Sequence, residues 1–262
     1  MYSKEHILFL KQEKRNKRKI LLFQLLIIII FILYWQIGAN TGLIDKFIFS
    51  SPLKVLSTIK DLFFNNHLLK HILITIYETL LSFSLATIIG IIIASILWWN
   101  KSLSKIIEPY LIVLNGLPKV ALGPIIIIWF GAGIKAIIVM ALLISLVITI
   151  VNVYKGFSEV DNNYILLMKS FKATRKQIFF KLILPSNVPT IISALKVNIS
   201  MSLIGVIMGE FLVSKAGIGY IIMYGSQVFN LNLVITGTII LCIVATFMYC
   251  LVSLIEKKLV ND

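Results

Sequence analysis

DNNYILLMKSFKATRKQIFFKLILPSNVP, residues 161–189, lies between two long apolar runs, and its reading decides what kind of fold this chain adopts. A connection between two membrane-spanning helices needs only a few residues. This one carries Lys169, Lys172, Arg175, Lys176 and Lys181, and it closes with Pro185 and Pro189. Asp161 or Asn162 suits the N-cap of a helix beginning near Asn163. Lys169, Lys172 and Lys176, at i, i+3 and i+7, would form one basic stripe if that helix continued. Leu167 and Phe171 form an apolar i, i+4 pair elsewhere on its surface. Thr174 followed by Gln177 has the spacing of a capping box, so a second short helix is predicted near Arg175. Pro185 is expected to end it, and Pro189 fits the first turn of the next helix. On these residues alone two readings stand: a loop facing anionic lipid headgroups, or a lever that inserts into a protein partner.

Composition narrows the class. Hydrophobic residues make up 59% of the 262, and the formal net charge is +14; mean hydropathy is +0.98. A nucleic-acid-binding domain shows basic clusters on a polar background. Here the background is hydrocarbon-like, which points to an all-α integral membrane protein with no nucleic-acid partner and with lipid as its surroundings. Cys242 and Cys250 lie eight residues apart in the last apolar run, about 12 Å along one helix and too far for a disulfide within it. His6, His67 and His71 have no Cys or carboxylate at ligand spacing, so no metal site is expected.

About six spans follow, near 20–37, 72–99, 106–130, 134–154, 190–213 and 233–255. Asn115, Pro118, Lys119 and Pro124 interrupt the third, where a bent or broken helix is predicted, its polar backbone facing protein or a water-filled cavity. The division expected is a basic cytoplasmic N-terminus at 1–19, a first transmembrane helix at 20–38, and an extracytoplasmic amphipathic connection at 39–67. A core domain at 68–256 contains the loop 161–189, and a cytoplasmic tail follows at 257–262. The first apolar run is long and lacks a small-x-small cleavage pattern, so it reads as an uncleaved span. Basic residues crowd 1–19, 100–105, 155–189 and the tail, whereas the other side holds only Lys46, Lys54, Lys60, Lys70, Lys135 and Lys215. That asymmetry puts both termini and the 161–189 loop in the cytoplasm.

The stretch from Lys169 to Arg175, then Gln177 to Pro185 with Pro189, resembles the coupling loop of binding-protein-dependent ABC importer permeases. Leu203 to Leu212 and Gly217-Ile-Gly-Tyr220 look like the nitrate/sulfonate/taurine branch of that family. Leu117 to Pro124 and Trp129-Phe-Gly131 resemble the same branch's third core span. Together these cover roughly 68–256. The resemblance implies a type I importer permease fold in a bacterial inner membrane, with a cytoplasmic coupling helix. It also implies cytoplasmic ATP-binding subunits that use the ATP, an extracytoplasmic solute-binding protein, and a second permease copy or a paired different one. No cofactor and no catalytic residue is implied for this chain. Coupling to the ATPase would fall to Lys169, Phe171, Lys172, Ala173, Thr174, Arg175, Gln177, Phe179 and Pro185. One departure stands out. Leu166-Leu167-Met168 occupies the family's Glu-Ala-Ala, and Lys172 stands at its glycine, so the turn there is expected to take ordinary helical or bridge geometry.

Ionisable groups inside spans are costly and default to functional hypotheses. Glu210 is a candidate for the outer gate or for support of the Gly217–Tyr220 turn, and Lys119 for attracting an anionic solute. Asn115, Ser200 and Ser202 could line a pathway or bond neighbouring helices, and Glu78 reads as a packing or interface partner. Gly205 and Gly209 have the small-xxx-small spacing of close helix approach, across a dimer among other options. The expected solute is small, anionic or vitamin-precursor-like. Two rivals are the membrane component of another ATPase-coupled vitamin uptake system and a secondary transporter. The first would offer paired Arg motifs and the second several buried carboxylates or a repeated core.

Overall fold

The computed structural model describes residues 4–65 and 67–260, with side chains over 11–254 apart from 14, 17 and 66. The first three residues and the last two of the chain lie outside the described residues, as do the side chains of the expected tail at 257–262. The described chain is helical throughout. α1 (Lys4–Thr41) leads to the short α2 (Lys46–Phe49) and α3 (Pro52–Asn65), then to the long α4 (Leu68–Trp99). α5 (Lys101–Gly116), a 3-10 turn (Lys119–Leu122) and α6 (Gly123–Phe130) precede α7 (Ile134–Ser158). α8 (Asn162–Ser170), α9 (Arg175–Ile178), a π-helical stretch (Phe179–Ile183) and α10 (Leu184–Ser186) form the elbow. α11 (Val188–Val213), α12 (Ile218–Gln227) and α13 (Leu231–Val260) complete the chain.

Five helices are long and apolar enough to cross a membrane, and the number is six if the pair Lys101–Gly116 and Lys119–Phe130, bent by 87°, counts as one broken span. The break falls where the sequence places it. Gly116 ends α5, Pro118 precedes the 3-10 turn, and Pro124 sits in the first turn of α6. The first helix runs well beyond the expected 20–38, from Lys4 to Thr41. Its basic opening segment is thus helical too, and its tie to the rest includes the Leu53 N–H donating to Gln36 Oε1 at 3.1 Å.

α7 is the centre of the bundle, packed between α4 and α11. Small residues make that possible. A Cβ at Gly205 would collide with the Ala141 backbone, and one at Gly209 would lie 2.9 Å from Ile137 Cα. These two glycines therefore seat α11 on α7 within one chain and are not left for a dimer contact, the option raised from their spacing. A Cβ at Gly90 would lie 2.7 Å from Thr149 Cγ2, so α4 meets α7 there across a side-chain methyl. Hydroxyls in this apolar interior bond back to their own helix, as Ser145 does to the Ala141 carbonyl (2.7 Å) and Thr149 to that of Ser145 (2.9 Å).

The elbow starts as expected and then departs. Asp161 caps α8 by accepting from the Asn163 N–H at 2.9 Å. α8 stops at Ser170, so the basic stripe through Lys172 and Lys176 does not form as one helical face. Lys172 adopts φ +56°, the left-handed region, and not the helical or bridge geometry expected of a lysine there. Its N–H reaches the Lys169 carbonyl (2.8 Å) and the Ala173 N–H reaches that of Met168 (3.0 Å), which is the Schellman pattern of helix termination. A non-glycine residue in this conformation costs about 1 kcal/mol.

Thr174 and Gln177 close the capping box reciprocally, at 3.3 and 2.8 Å. Pro185 does not end the helix that follows. The π-helical turn widens the hydrogen-bond ring, with Leu184 N–H donating to the Phe179 carbonyl, and the chain stays helical to Ser186. The stop comes at Asn187, whose Nδ2 caps the Ile183 carbonyl at 2.8 Å, and Pro189 opens α11. Lys172→Gly should relieve the left-handed strain and raise the thermal midpoint of the detergent-solubilised protein by about 2–4 °C. An unchanged or lowered midpoint would show that the lysine side chain compensates fully.

Candidate functional site

The elbow has two unlike sides. On the inner side, Ile165, Met168 and Ala173 pack with Ile178, Phe179 and Ile183 against Ala94, Val153, Phe157 and Ala194 of the spans. Phe179 is the keystone, 4% exposed. Its ring lies 5.1 Å from Trp98, 5.5 Å from Trp99, 5.7 Å from Phe157 and 5.2 Å from Phe180, mostly edge to face. Arg175 adds its guanidinium over the Trp98 ring, 5.8 Å from its centre. Phe179, Ala173 and Arg175 thus hold the elbow to the bundle.

On the outer side, Tyr164, Leu167 and Phe171 recur at i, i+3 and i+7 and are all exposed, Phe171 at 75%. Leu166 stands exposed beside them, and Lys169, Lys172, Lys176 and Gln177 are exposed around this apolar strip. Thr174 and Pro185 are exposed as well, but their visible work is internal, one as a cap and the other in the first turn of α10.

The intramembrane candidates do not converge on one site. Lys119 is half-buried at the break of the third span, its Nζ turned back to the Asn115 carbonyl at 3.5 Å, and Asn115 is exposed beside it. Ser200 is exposed on α11 and donates to the Lys196 carbonyl at 3.3 Å, while Ser202 is buried. Glu210 sits elsewhere, at the far end of α11 and 1% exposed. Thr75 Oγ1 donates to its Oε1 at 2.6 Å and the Gly219 N–H to its Oε2 at 2.5 Å. Thr75 in turn accepts from the Ile218 N–H (2.9 Å), and His71 Nδ1 accepts from the Gly217 N–H (3.0 Å). Gly217 adopts φ +119°, and a Cβ there or at Gly219 would collide with the Glu210 side chain. Glu210 therefore clasps the start of α12 to α4 and α11.

Sequence reasoning missed Trp98, Phe157, Thr75 and His71. The signal for Thr75 was present, since Thr75, Glu78, Ser82, Ala86, Gly90 and Ala94 mark one small or polar face of α4, all buried.

The long apolar helices define a multi-span α-helical membrane protein with a braced elbow between α7 and α11. The chain belongs to the family described as "Binding-protein-dependent transport system inner membrane component", whose pattern matches residues 86–261. It is an ABC importer permease. A probable ABC transporter permease protein of Haemophilus influenzae is 29% identical over 230 residues, 87% of this chain and 93% of that one. A Bacillus subtilis permease protein assigned to aliphatic sulfonates transport, SsuC, is 27% identical, covering 90% of this chain and 86% of its own. The formylaminopyrimidine transport permease protein ThiX of Halalkalibacterium halodurans is 27% identical over 76% of this chain and 77% of its own. In fold, the chain resembles the MetNI methionine ABC transporter in an inward-facing conformation. The TM-score is 0.64 at 20% identity, over 74% of this chain and 94% of that one.

Phe179→Ala should destabilise the protein by about 3–5 kcal/mol, because it empties an aromatic box. Phe171→Ala, at a site in open space, should change the thermal midpoint little; equal losses from the two would mean that the elbow is not anchored through Phe179.

Proposed function

We propose that this permease couples ATP hydrolysis by separate cytoplasmic subunits to solute import, with α8 as the lever seated in a groove of the ATPase. The observation that carries this is the two-sidedness of the elbow. One face is fixed to the spans through Phe179, and the other offers Tyr164, Leu167 and Phe171 within a lysine rim. An exposed apolar strip on a rigid mount suits insertion into a protein groove. The basic-residue asymmetry supports a cytoplasmic elbow and cytoplasmic termini.

Closure of the ATPase subunits on ATP would move α8 as a rigid body and switch the cavity between inward- and outward-facing states. An extracytoplasmic binding protein would deliver the solute. A second copy of the chain is the partner that fits the broken third span, because Lys119 and an unwound backbone require protein or water around them, not lipid. Lys119 and Asn115 would then face the cavity and favour a small anionic solute, in keeping with the sulfonate assignment of one relative. Glu210 acts at a distance from that cavity, by holding the turn before α12.

Phe171→Asp, and Leu167→Asp in parallel, should abolish co-purification of the ATP-binding subunit while leaving membrane insertion and the thermal midpoint unchanged. Undiminished co-purification from a correctly inserted variant would defeat the lever assignment.

A further inference from the structure

Two side chains of α11 hydrogen-bond across to α4. Glu210 does so at the clasp, where it accepts from Thr75. The other is Asn198, nearer the elbow and 0% exposed. Its Nδ2 donates to Thr87 Oγ1 at 2.7 Å and to the Phe83 carbonyl at 3.5 Å. Thr75 and Thr87 are twelve residues apart on α4, and Asn198 and Glu210 are twelve apart on α11, in the opposite order. The two helices are therefore antiparallel and stay in step over about 18 Å.

Packing does not call for an amide at position 198. Its neighbours Leu195 and Ile199 belong to an apolar cluster, and its buried Oδ1 has no donor among the described residues. An orphan acceptor in such an interior is costly, and an aliphatic side chain would avoid the cost. What the amide adds is register. A slip of α11 along α4 would strip its N–H groups of both acceptors, which is how one buried asparagine sets the register of a coiled coil. Gly205 and Gly209 seat the half of α11 remote from the elbow against α7. Asn198 lies between those glycines and the elbow, about 15 Å from Val188.

We infer that Asn198 is a positioning residue, with Thr87 as its partner, that locks α11 in register with α4. A displacement of the elbow then reaches the 214–219 turn and is not lost as slip between the two helices. The inference rests on the coupling role proposed above.

The test uses the full chain assembled with its ATP-binding subunit in lipid nanodiscs, which leave both faces open to solvent. In a background of Cys242→Ser and Cys250→Ser, Lys215→Cys reports on the turn through its rate of reaction with a water-soluble maleimide, position 215 being exposed. ATP should change that rate about fivefold in this parent. The change should vanish in Asn198→Val and in Thr87→Val, with the subunit still bound and hydrolysing ATP. The exchange Asn198→Thr with Thr87→Asn restores a donor and an acceptor across the seam and should recover the response, which lost packing alone would not. A parent-like response in both valine variants overturns the inference, as does an exchange variant no better than Asn198→Val. A parent that ignores ATP despite a bound, hydrolysing subunit defeats the lever itself, and the inference falls with it. If Asn198→Val does not fold, Thr87→Val, at a half-buried position, decides.

Discussion

A lever transmits displacement only if its mount is stiffer than its load, and for the proposed lever α8 that mount is the ring of Phe179. Four aromatic neighbours enclose it, drawn from α4, α7 and the elbow itself. Aromatic side chains combine large buried area with few rotatable bonds, so such a box resists tilting as well as extraction. The Schellman turn at Lys172 and the capping box at Thr174 then set the angle at which α8 leaves the mount. Without the box, α8 would be an amphipathic helix on a hinge. With it, α8 leaves the bundle from a fixed mount.

What the arm moves follows from connectivity. The elbow runs through α10 into α11 with a break only at Asn187, and α11 extends about 33 Å from Val188 to the Glu210 clasp. Along that length Gly205 and Gly209 press it against α7. Contacts between backbones leave no soft side-chain layer to absorb a shift, because packed interiors are close to crystalline in density. α11 therefore joins the elbow to the 214–219 turn, which Glu210 and Thr75 hold through their hydrogen bonds to the start of α12.

Much of this was legible in the sequence where local chemistry dominates. The spans, the break at Gly116–Pro124, the Asp161 cap and the Thr174–Gln177 box all follow from apolar length, proline and short side-chain reach. The errors arose where neighbours override local preference. Pro185 reads as a helix stop, yet a π-helical turn widens the hydrogen-bonded ring and lets the helix run on to Ser186. Lys172 reads as a residue that avoids left-handed geometry, yet the hydrogen bonds of the Schellman turn hold it there. Phe171 and Phe179 look alike in sequence, and only the positions of Trp98 and Phe157 separate an exposed ring from a buried one. Thr75 and Glu210 lie more than a hundred residues apart, so their hydrogen bond could not be read from spacing at all.

The central claim is that the outward face of α8 is occupied by protein. A photo-crosslinking phenylalanine analogue at position 171, activated in intact membranes, tests it directly. The account predicts one adduct of this chain with a cytoplasmic ATP-binding subunit, with its yield changing when ATP is added. Adducts with lipid alone, or a yield of subunit adduct no greater than from a crosslinker at exposed Phe31 in the first span, would contradict it.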